Sequence, residues 1–299
     1  MKVAIYSRKI YKHEVSFFKQ FFKHLEQLGW KPIVEVTFLE KLQKKLGIGD
    51  GFETFDHYSD FQTGIDLAIS IGGDGTFLKT VSFIRSSGVP IVGINTGRLG
   101  FLANTSTEDF EKTLEKVKNK EFVYQQRSLL RVQTEDDIFG DDNLALNELA
   151  VHKKDTSSMI TVDAYLDEKY LNSYWADGLM VSTPTGSTAY SLSCGGPIIT
   201  PGCAVHILTP IAPHNLNVRP VVVPDHMPIK LKVLGRDRRF LMTLDSNSKS
   251  VKNGTEVSLH KADFMINVIK FQENNFLDTI RNKMMWGIDQ RNEEFNNKS

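Results

Sequence analysis

An aspartate set among glycines is the residue in this chain best placed to do chemistry. The run Ile69-Ser70-Ile71-Gly72-Gly73-Asp74-Gly75-Thr76 passes from an apolar strand into a helix. Glycine at such a junction admits dihedral angles closed to other residues and lets a phosphate come up against the backbone. The helix beyond offers N–H groups and the positive end of its dipole to an anion. Gly72, Gly73, Gly75 and Thr76 are therefore candidate phosphate contacts, and Lys79, one turn further on, adds a positive charge. A carboxylate placed there repels phosphate, so its presence calls for a role. It either takes a proton from an attacking hydroxyl or holds Mg²⁺. The pattern is neither a P-loop nor the GxGxxG fingerprint, and a Gly-Gly-Asp-Gly tetrad on its own is more often a plain turn.

Three further segments change that balance. Asn95-Thr96-Gly97-Arg98-Leu99-Gly100-Phe101-Leu102 closes the next strand, and Asn147-Glu148 stands in a β-rich stretch. From Asp177 the chain reads Asp-Gly-Leu-Met-Val-Ser-Thr-Pro-Thr-Gly-Ser-Thr-Ala-Tyr-Ser and runs on to Gly195-Gly196-Pro197. Singly these read as ordinary structure: Asn147-Glu148 a strand edge, Tyr190 a core residue, Asp177 a turn. Together with the glycine–aspartate turn, in this order and spacing, they strongly resemble the NAD kinase family over residues 66 to 250. The turn by itself is shared with diacylglycerol and sphingosine kinases. The long block is the specific part.

The resemblance implies a phosphotransferase that moves the γ-phosphoryl group of ATP to the adenosine-ribose 2′-hydroxyl of NAD. Mg²⁺, or another divalent cation, is expected on the nucleotide phosphates rather than in a protein cage. Asp74 matches the family's catalytic aspartate and Gly75 the adjoining contact glycine. Asn147 and Glu148 match a pair that hydrogen-bonds the acceptor nucleotide, and Asp177 an acidic residue on the nicotinamide side. Thr188, Ala189, Tyr190 and Ser193 match the pocket lining, with Tyr190 available for stacking and Phe101 for apolar contact. Carboxylates and amides suit ribose hydroxyls because they pair donors with acceptors. Two positions depart from the pattern. Asp245-Ser246-Asn247 stands where many members have Asp-Gly-Gln, and Asn247 is kept as a ligand candidate. Trp175 stands where some members carry arginine. Ala212 completes the expected nucleotide-binding set. A homo-dimer or tetramer in the cytoplasm is the expected state. The rival readings are a lipid kinase of the same superfamily and a non-catalytic dinucleotide-binding protein.

The elements that must position these residues can be read from periodicity. Val3 to Ser7, Ile33 to Val36, Asp66 to Ile71 and Ile91 to Ile94 read as apolar strands. Val15, Phe18, Phe22 and Leu25 recur at helical steps before Gly29, Thr76 to Ser86 reads as a helix, and Phe110, Leu114 and Val117 mark another. This alternation predicts a mostly parallel sheet with both faces covered. Beyond Glu121 short strands take over, separated by turns at Asp141-Asp142-Asn143, Gly235-Arg236-Asp237 and Asn253-Gly254, the last a strong hairpin signal. The expected architecture is an α/β domain over residues 1–121, rejoined by 272–299, and a mostly β dinucleotide-binding domain over 122–271. Phe276 to Ile280 is expected as a short helix and Asn292 to Ser299 as a frayed end.

Composition narrows the partners. Lys plus Arg, 36, equals Asp plus Glu, 36, so no global field draws the chain to nucleic acid or an anionic membrane. The start reads as a strand rather than a signal peptide, and no run reaches the ~18 apolar residues of a membrane span. The eight histidines show no paired-ligand pattern, and Cys194 and Cys203 are expected as reduced thiols. Small molecules are the expected partners.

Overall fold

A computed structural model describes residues 1–62, 64–97, 100–154, 159–236, 238–272 and 275–285. Arg98 and Leu99, Asp237 and the 292–299 end, all named above, lie outside the described residues. The strands Leu67–Ile71 and Ile91–Asn95 are buried at every residue, as strands must be when helices cover both faces of a sheet. On one face lie α1 (Val15–Gln27) and α2 (Val36–Leu46). They bury Phe18, Phe21, Phe38 and Leu42 against Val3, Ile5 and Ile69. On the other lies α3 (Asp74–Ile84), which sets Phe77, Val81 and Ile84 on Ala68 and Ile91. Then α4 (Phe110–Lys118) returns to the first face.

Two local differences from the sequence reading have clear causes. The expected strand through Val36 stops at Glu35, because the Glu35 carboxylate accepts the Phe38 N–H at 2.8 Å and starts α2. Gly47, left-handed at φ 65°, ends that helix. The helix expected from Thr76 begins two residues earlier, so Asp74 is its first residue and Gly73 its N-cap.

Strand order in this sheet is Glu53–Phe55, Lys31–Glu35, Lys2–Tyr6, Leu67–Ile71, Ile91–Asn95, Ile266–Lys270, Val123–Arg127. All these neighbours pair parallel except the final two strands, which pair antiparallel. The chain order reverses between Lys2–Tyr6 and Leu67–Ile71. A sheet of this kind opens a crevice at the carboxyl ends of the strands on either side of such a reversal. The Gly72–Asp74 turn leaves Leu67–Ile71 at that point. Val123–Arg127 and Ile266–Lys270, both inside the stretch 122–271, hydrogen-bond into this first sheet. The chain thus departs after Arg127 and comes back at Ile266.

Between those points it builds two six-stranded antiparallel sheets. Their inner faces meet in one core, where Leu149, Val151 and Leu179 face Val132, Val162 and Leu231. Ile229–Leu234 alternates buried with half-buried residues along its length, as a one-faced strand should. Asn253-Gly254 is not a hairpin. The strands on either side, Asn247–Lys252 and Glu256–Lys261, belong to different sheets. The turn is spent on a crossover, held by Gly254 N–H to the Val233 carbonyl at 2.8 Å and by the Asn253 amide to the Gly235 carbonyl at 2.7 Å. The segment around Gly235 likewise joins strands of different sheets. A true hairpin sits instead at Asp245-Ser246, where Leu244 pairs with Asn247 and Asp245 takes φ 50°. The short α5 (Tyr190–Ser193) and the terminal α6 (Phe276–Met284) complete the described elements.

One glycine shows how tightly the site-bearing strand is packed. A Cβ on Gly93 would lie 2.8 Å from the Ala103 Cα and 2.9 Å from the Phe77 ring. Gly93→Val is expected to cost about 1–3 kcal/mol through overpacking. A urea midpoint equal to that of the unchanged protein would contradict this.

Candidate active site

Asp74 stands at the head of α3, where the helix dipole favours a negative charge. Its Oδ2 accepts the Phe101 N–H at 3.0 Å, and its Oδ1 accepts the N–H groups of Leu102 and Ala103 at 3.2 and 3.1 Å. Gly100 is a glycine for the same reason: a Cβ there would come within 1.8 Å of the Asp74 Oδ1. Gly72 is held at φ 145°, and a Cβ on it would meet the Thr76 hydroxyl at 2.5 Å. Gly73 and Gly75 differ, because a Cβ on either would touch nothing within 4 Å. The chain itself does not require glycine at those two positions. The space over them suits a group that must approach the backbone closely. Lys79, exposed, lies 4.8 Å from the Phe83 ring centre.

A second carboxylate is held in the same manner. Asp245 Oδ2 accepts the Leu146 N–H at 2.9 Å, and its Oδ1 accepts the N–H groups of Asn147 and Glu148 at 2.9 and 3.1 Å. This pins the Asn147-Glu148 pair. Gly186 packs from the other side, since a Cβ there would meet the Asn147 carbonyl at 2.2 Å. The segment 183–188 is tied down by its own hydroxyls. Gly186 N–H donates to the Thr183 hydroxyl at 3.2 Å, Ser187 donates to the Pro184 carbonyl at 2.7 Å, and Thr188 to the Thr185 carbonyl at 3.2 Å. None of them caps α5, whose N-cap is Ala189 without a side-chain bond. These hydroxyls shape the loop itself.

Ala189 is half-buried, Ser193 is exposed, and Tyr190 is 46% exposed, so its ring has a free surface. Asp177 pairs with Lys153 at 2.6 Å. Its N–H donates to the Ile211 carbonyl, and the His214 N–H donates to the Trp175 carbonyl, which sets exposed Ala212 beside Trp175 and Asp177. The Phe101 ring lies 6.5 Å from that of Phe276 of α6, tilted by 53°, with the Lys283 ammonium 5.1 Å from the Phe101 ring centre. The expected residues therefore come from two places. Gly72 to Lys79 and Phe101 come from the first sheet's end, and Asn147, Glu148, Trp175, Asp177, Thr188, Ala189, Tyr190, Ser193, Ala212 and Asn247 come from the β region.

Comparison with known proteins identifies the family. The family model described as the ATP-NAD kinase N-terminal domain matches residues 12–122, and the ATP-NAD kinase C-terminal domain matches residues 146–271. An NAD kinase of Christiangramia forsetii is 46% identical over 98% of this chain and 100% of its own length. The chain belongs to the NAD kinase family. An NAD kinase from Archaeoglobus fulgidus, solved in complex with ATP, superposes with TM-score 0.74 at 27% identity, over 95% of this chain and 99% of that one. A yeast NADH kinase complexed with NADH shares the fold, with TM-score 0.83 at 23% identity, over 96% of this chain and 88% of that one.

Three charged residues in this NAD kinase family member were not singled out by sequence. Arg127 is buried, and its Nη1 donates to the Thr185 hydroxyl at 3.2 Å and its Nη2 to Gln125 at 2.8 Å, while Nε finds no partner. Burial lowers its pKa to about 10, opposed by the Asp74 charge, and it stays a cation at neutral pH. Lys270 is lowered to about 7 by burial and by Arg127, again opposed by Asp74. Arg127, Gln125, Val268 and Lys270 share one sheet face through the pairing of Gln125 with Val268. That is the α3 face, because Val268 packs with Phe77. Asp245 is the third. Its only sequence signal is the departure from Asp-Gly-Gln, and that drew attention to Asn247 instead.

Glu148 is buried with one carboxylate oxygen lacking any partner. Desolvation, and then the neighbouring Asp245, raise its pKa to about 8, and desolvation raises Asp245 to about 6 against the pull of its three N–H bonds. Both folded-state values lie above the unfolded ones. The stability these groups permit is therefore full at low pH and is lost as pH rises through the folded values. The ligand-free protein is expected to lose denaturation midpoint between about pH 5 and 8. Glu148→Gln should flatten that fall, most clearly above pH 7. Urea titrations at four pH values give the answer, and parallel slopes for the two proteins would reject the assignment.

Proposed function

We propose that the chain phosphorylates NAD with ATP, and that Asp74 is the base that readies the acceptor. The observation that carries this is a carboxylate fixed on three main-chain N–H groups. It heads a helix between two glycines over which the chain leaves open space. A carboxylate offers about four acceptor positions, so one remains for a substrate hydroxyl. The adenosine-ribose 2′-hydroxyl donates there. As its oxygen attacks the γ-phosphorus, the proton passes to Asp74, the bond from γ-phosphorus to the β–γ bridging oxygen breaks, and ADP leaves. Asn147 and Glu148 hold the acceptor. With a pKa near 8, Glu148 is protonated at neutral pH and donates a hydrogen bond to a sugar oxygen.

Fixed N–H groups and charge do most of the work in such a transfer, since the protein has little covalent chemistry to perform. Arg127 supplies fixed positive charge on the α3 face, and Lys270, its pKa lowered to about 7, adds a partial one at neutral pH. No group of three or more His, Cys, Asp or Glu suited to a metal ion occurs among the described residues, and the proposal has a divalent cation arrive on the nucleotide phosphates. Asp74 is the carboxylate that would be available to a divalent cation on those phosphates, and such a cation would neutralise charge on the phosphate oxygens.

Tyr190 offers its exposed ring for stacking, and Asp177, Trp175 and Ala212 form the far wall of the acceptor site. The assembly as a dimer or tetramer and a cytoplasmic location belong to the same proposal. No helix among the described residues is long and apolar enough to cross a membrane.

Purified protein with ATP, Mg²⁺ and NAD should form NADP, and should not phosphorylate a diacylglycerol or a sphingoid base. Asp74→Asn should lose about two to four orders of magnitude in turnover while still binding NAD by calorimetry. Near wild-type turnover in that variant would remove Asp74 from its role. NAD binding without any NADP formation by the unchanged protein would leave only a dinucleotide-binding function.

A further inference from the structure

Two cations on the α3 face of the first sheet have no carboxylate bonded to them among the described residues. Arg127 is buried and meets only neutral groups, the Thr185 hydroxyl at 3.2 Å and Gln125 at 2.8 Å, with Nε bonded to nothing. Lys270 is half-buried and donates no hydrogen bond to any described residue. A sheltered charge without a partner lowers stability, and an apolar residue of similar size in its place is often neutral or stabilising. Packing therefore gives no reason for a lysine at position 270, and its neighbours supply another.

Sheet register fixes where that lysine stands. Val268 pairs with Ile91 in the neighbouring parallel strand and packs with Phe77 of α3. Two residues further along both strands, Lys270 and Gly93 stand level and face the same side. Gly93 is roofed by Ala103, whose Cα a Cβ on Gly93 would meet at 2.8 Å. The Ala103 N–H in turn donates to Asp74 Oδ1 at 3.1 Å. Lys270 is thus one strand spacing, about 4.8 Å, from the glycine beneath the segment that holds Asp74. On its other side, Gln125 draws the Arg127 guanidinium back along its strand towards Val123, the residue opposite Lys270. Burial and Arg127 push the Lys270 pKa down to about 7, and Asp74 opposes them. Other cations nearby are screened from it: Lys116 of α4 lies over Phe271, on the opposite face of the sheet, and Lys283 of α6 lies over the Phe101 ring.

We propose that Lys270 is a positioning residue for the phosphoryl transfer: as a cation beside the 101–103 segment it holds the Asp74 carboxylate in place and eases the build-up of negative charge on the acceptor oxygen. The assignment rests on the reading of the chain as a phosphotransferase with Asp74 as its base. Lys270 neither gives nor takes a proton in the step; the proton of the acceptor hydroxyl goes to Asp74. A fixed charge in a water-poor seam acts more strongly than the same charge in water and needs no rearrangement as the reaction proceeds. Arg127 keeps the ammonium from settling against its own sheet, and the stability lost to two unpartnered cations is the cost of that field.

The test uses the full chain with Lys270→Met, which removes the charge, and Lys270→Arg, which keeps it at every working pH. Lys270→Met should lower kcat about tenfold or more and leave the KM for NAD and for ATP within about twofold. Its urea midpoint should equal or exceed that of the unchanged protein, because an unpartnered charge has gone. Lys270→Arg should restore turnover to within about threefold. A lysine of pKa about 7 loses its charge as pH rises through that value. The kcat/KM of the unchanged protein should therefore fall above about pH 7, and that of Lys270→Arg should hold to higher pH. Normal turnover by Lys270→Met overturns the proposal. So does a loss of turnover that arginine fails to restore, or one that comes with a lowered midpoint, which would mark a structural role. A raised KM with kcat intact would make Lys270 a ligand contact and overturn it as well. Near wild-type turnover by Asp74→Asn would sink the underlying reading of the site, whereas normal turnover by Lys270→Met removes Lys270 alone.

Discussion

A carboxylate that is to act in a crowded, anion-binding site must first be held, and here the holding is done by main-chain N–H groups. Asp74 takes three of them from residues 101 to 103, and Asp245 takes three from residues 146 to 148. Such bonds favour the charged form without introducing another mobile side chain. They also fix geometry. The first set couples the head of α3 to the loop after Ile91–Asn95, and the second couples a β hairpin to the Asn147-Glu148 pair. Both require close backbone approach, which explains why Gly100 and Gly186 have no room for a Cβ. Asp74 itself and the Asn147-Glu148 pair are thus set in place by two copies of one device.

The two aspartates differ in what surrounds them, and the difference sorts their roles. Asp74 is half-buried at a helix N-terminus, with open space over its flanking glycines. Asp245 lies beside buried Glu148 and makes its ionisation costlier. The first is open to a substrate hydroxyl. The second is occupied with structure, and Glu148 is left protonated and able to donate. Arg127 links the arrangement across the molecule, since it belongs to the first sheet yet bonds to Thr185 in the loop that packs on Asn147.

Much of this was legible in the residues, for physical reasons. The parallel sheet announced itself through continuous apolar strands, and the Gly72–Thr76 turn through glycines where a strand meets a helix. Members of the long Asp177–Ser191 block could be placed only through the family resemblance, since each residue by itself reads as ordinary structure. What escaped notice depended on long-range pairing. Asn253-Gly254 carries the local signal of a hairpin, but its flanking strands are claimed by different sheets, and no local pattern reports that choice. Asp245-Ser246 makes the real hairpin without a glycine. Val123–Arg127 and Ile266–Lys270 look like strands of the β region, and only their partners place them in the first sheet. Arg127 and Lys270 were missed with them, since a cation on a strand gains meaning only from what the sheet sets opposite it.

The pairing of those two strands has a mechanical consequence. Arg127 and Ile266 stand directly opposite each other in the ladder, so the polypeptide exits and re-enters the first sheet at one spot. The β sandwich is thereby tied on by a double strap of adjacent, mutually bonded segments, and beside the strap Leu129, Leu146 and Ala262 bury against Phe77, Val81 and Ile84, so a shared apolar seam welds the root of the sandwich to α3.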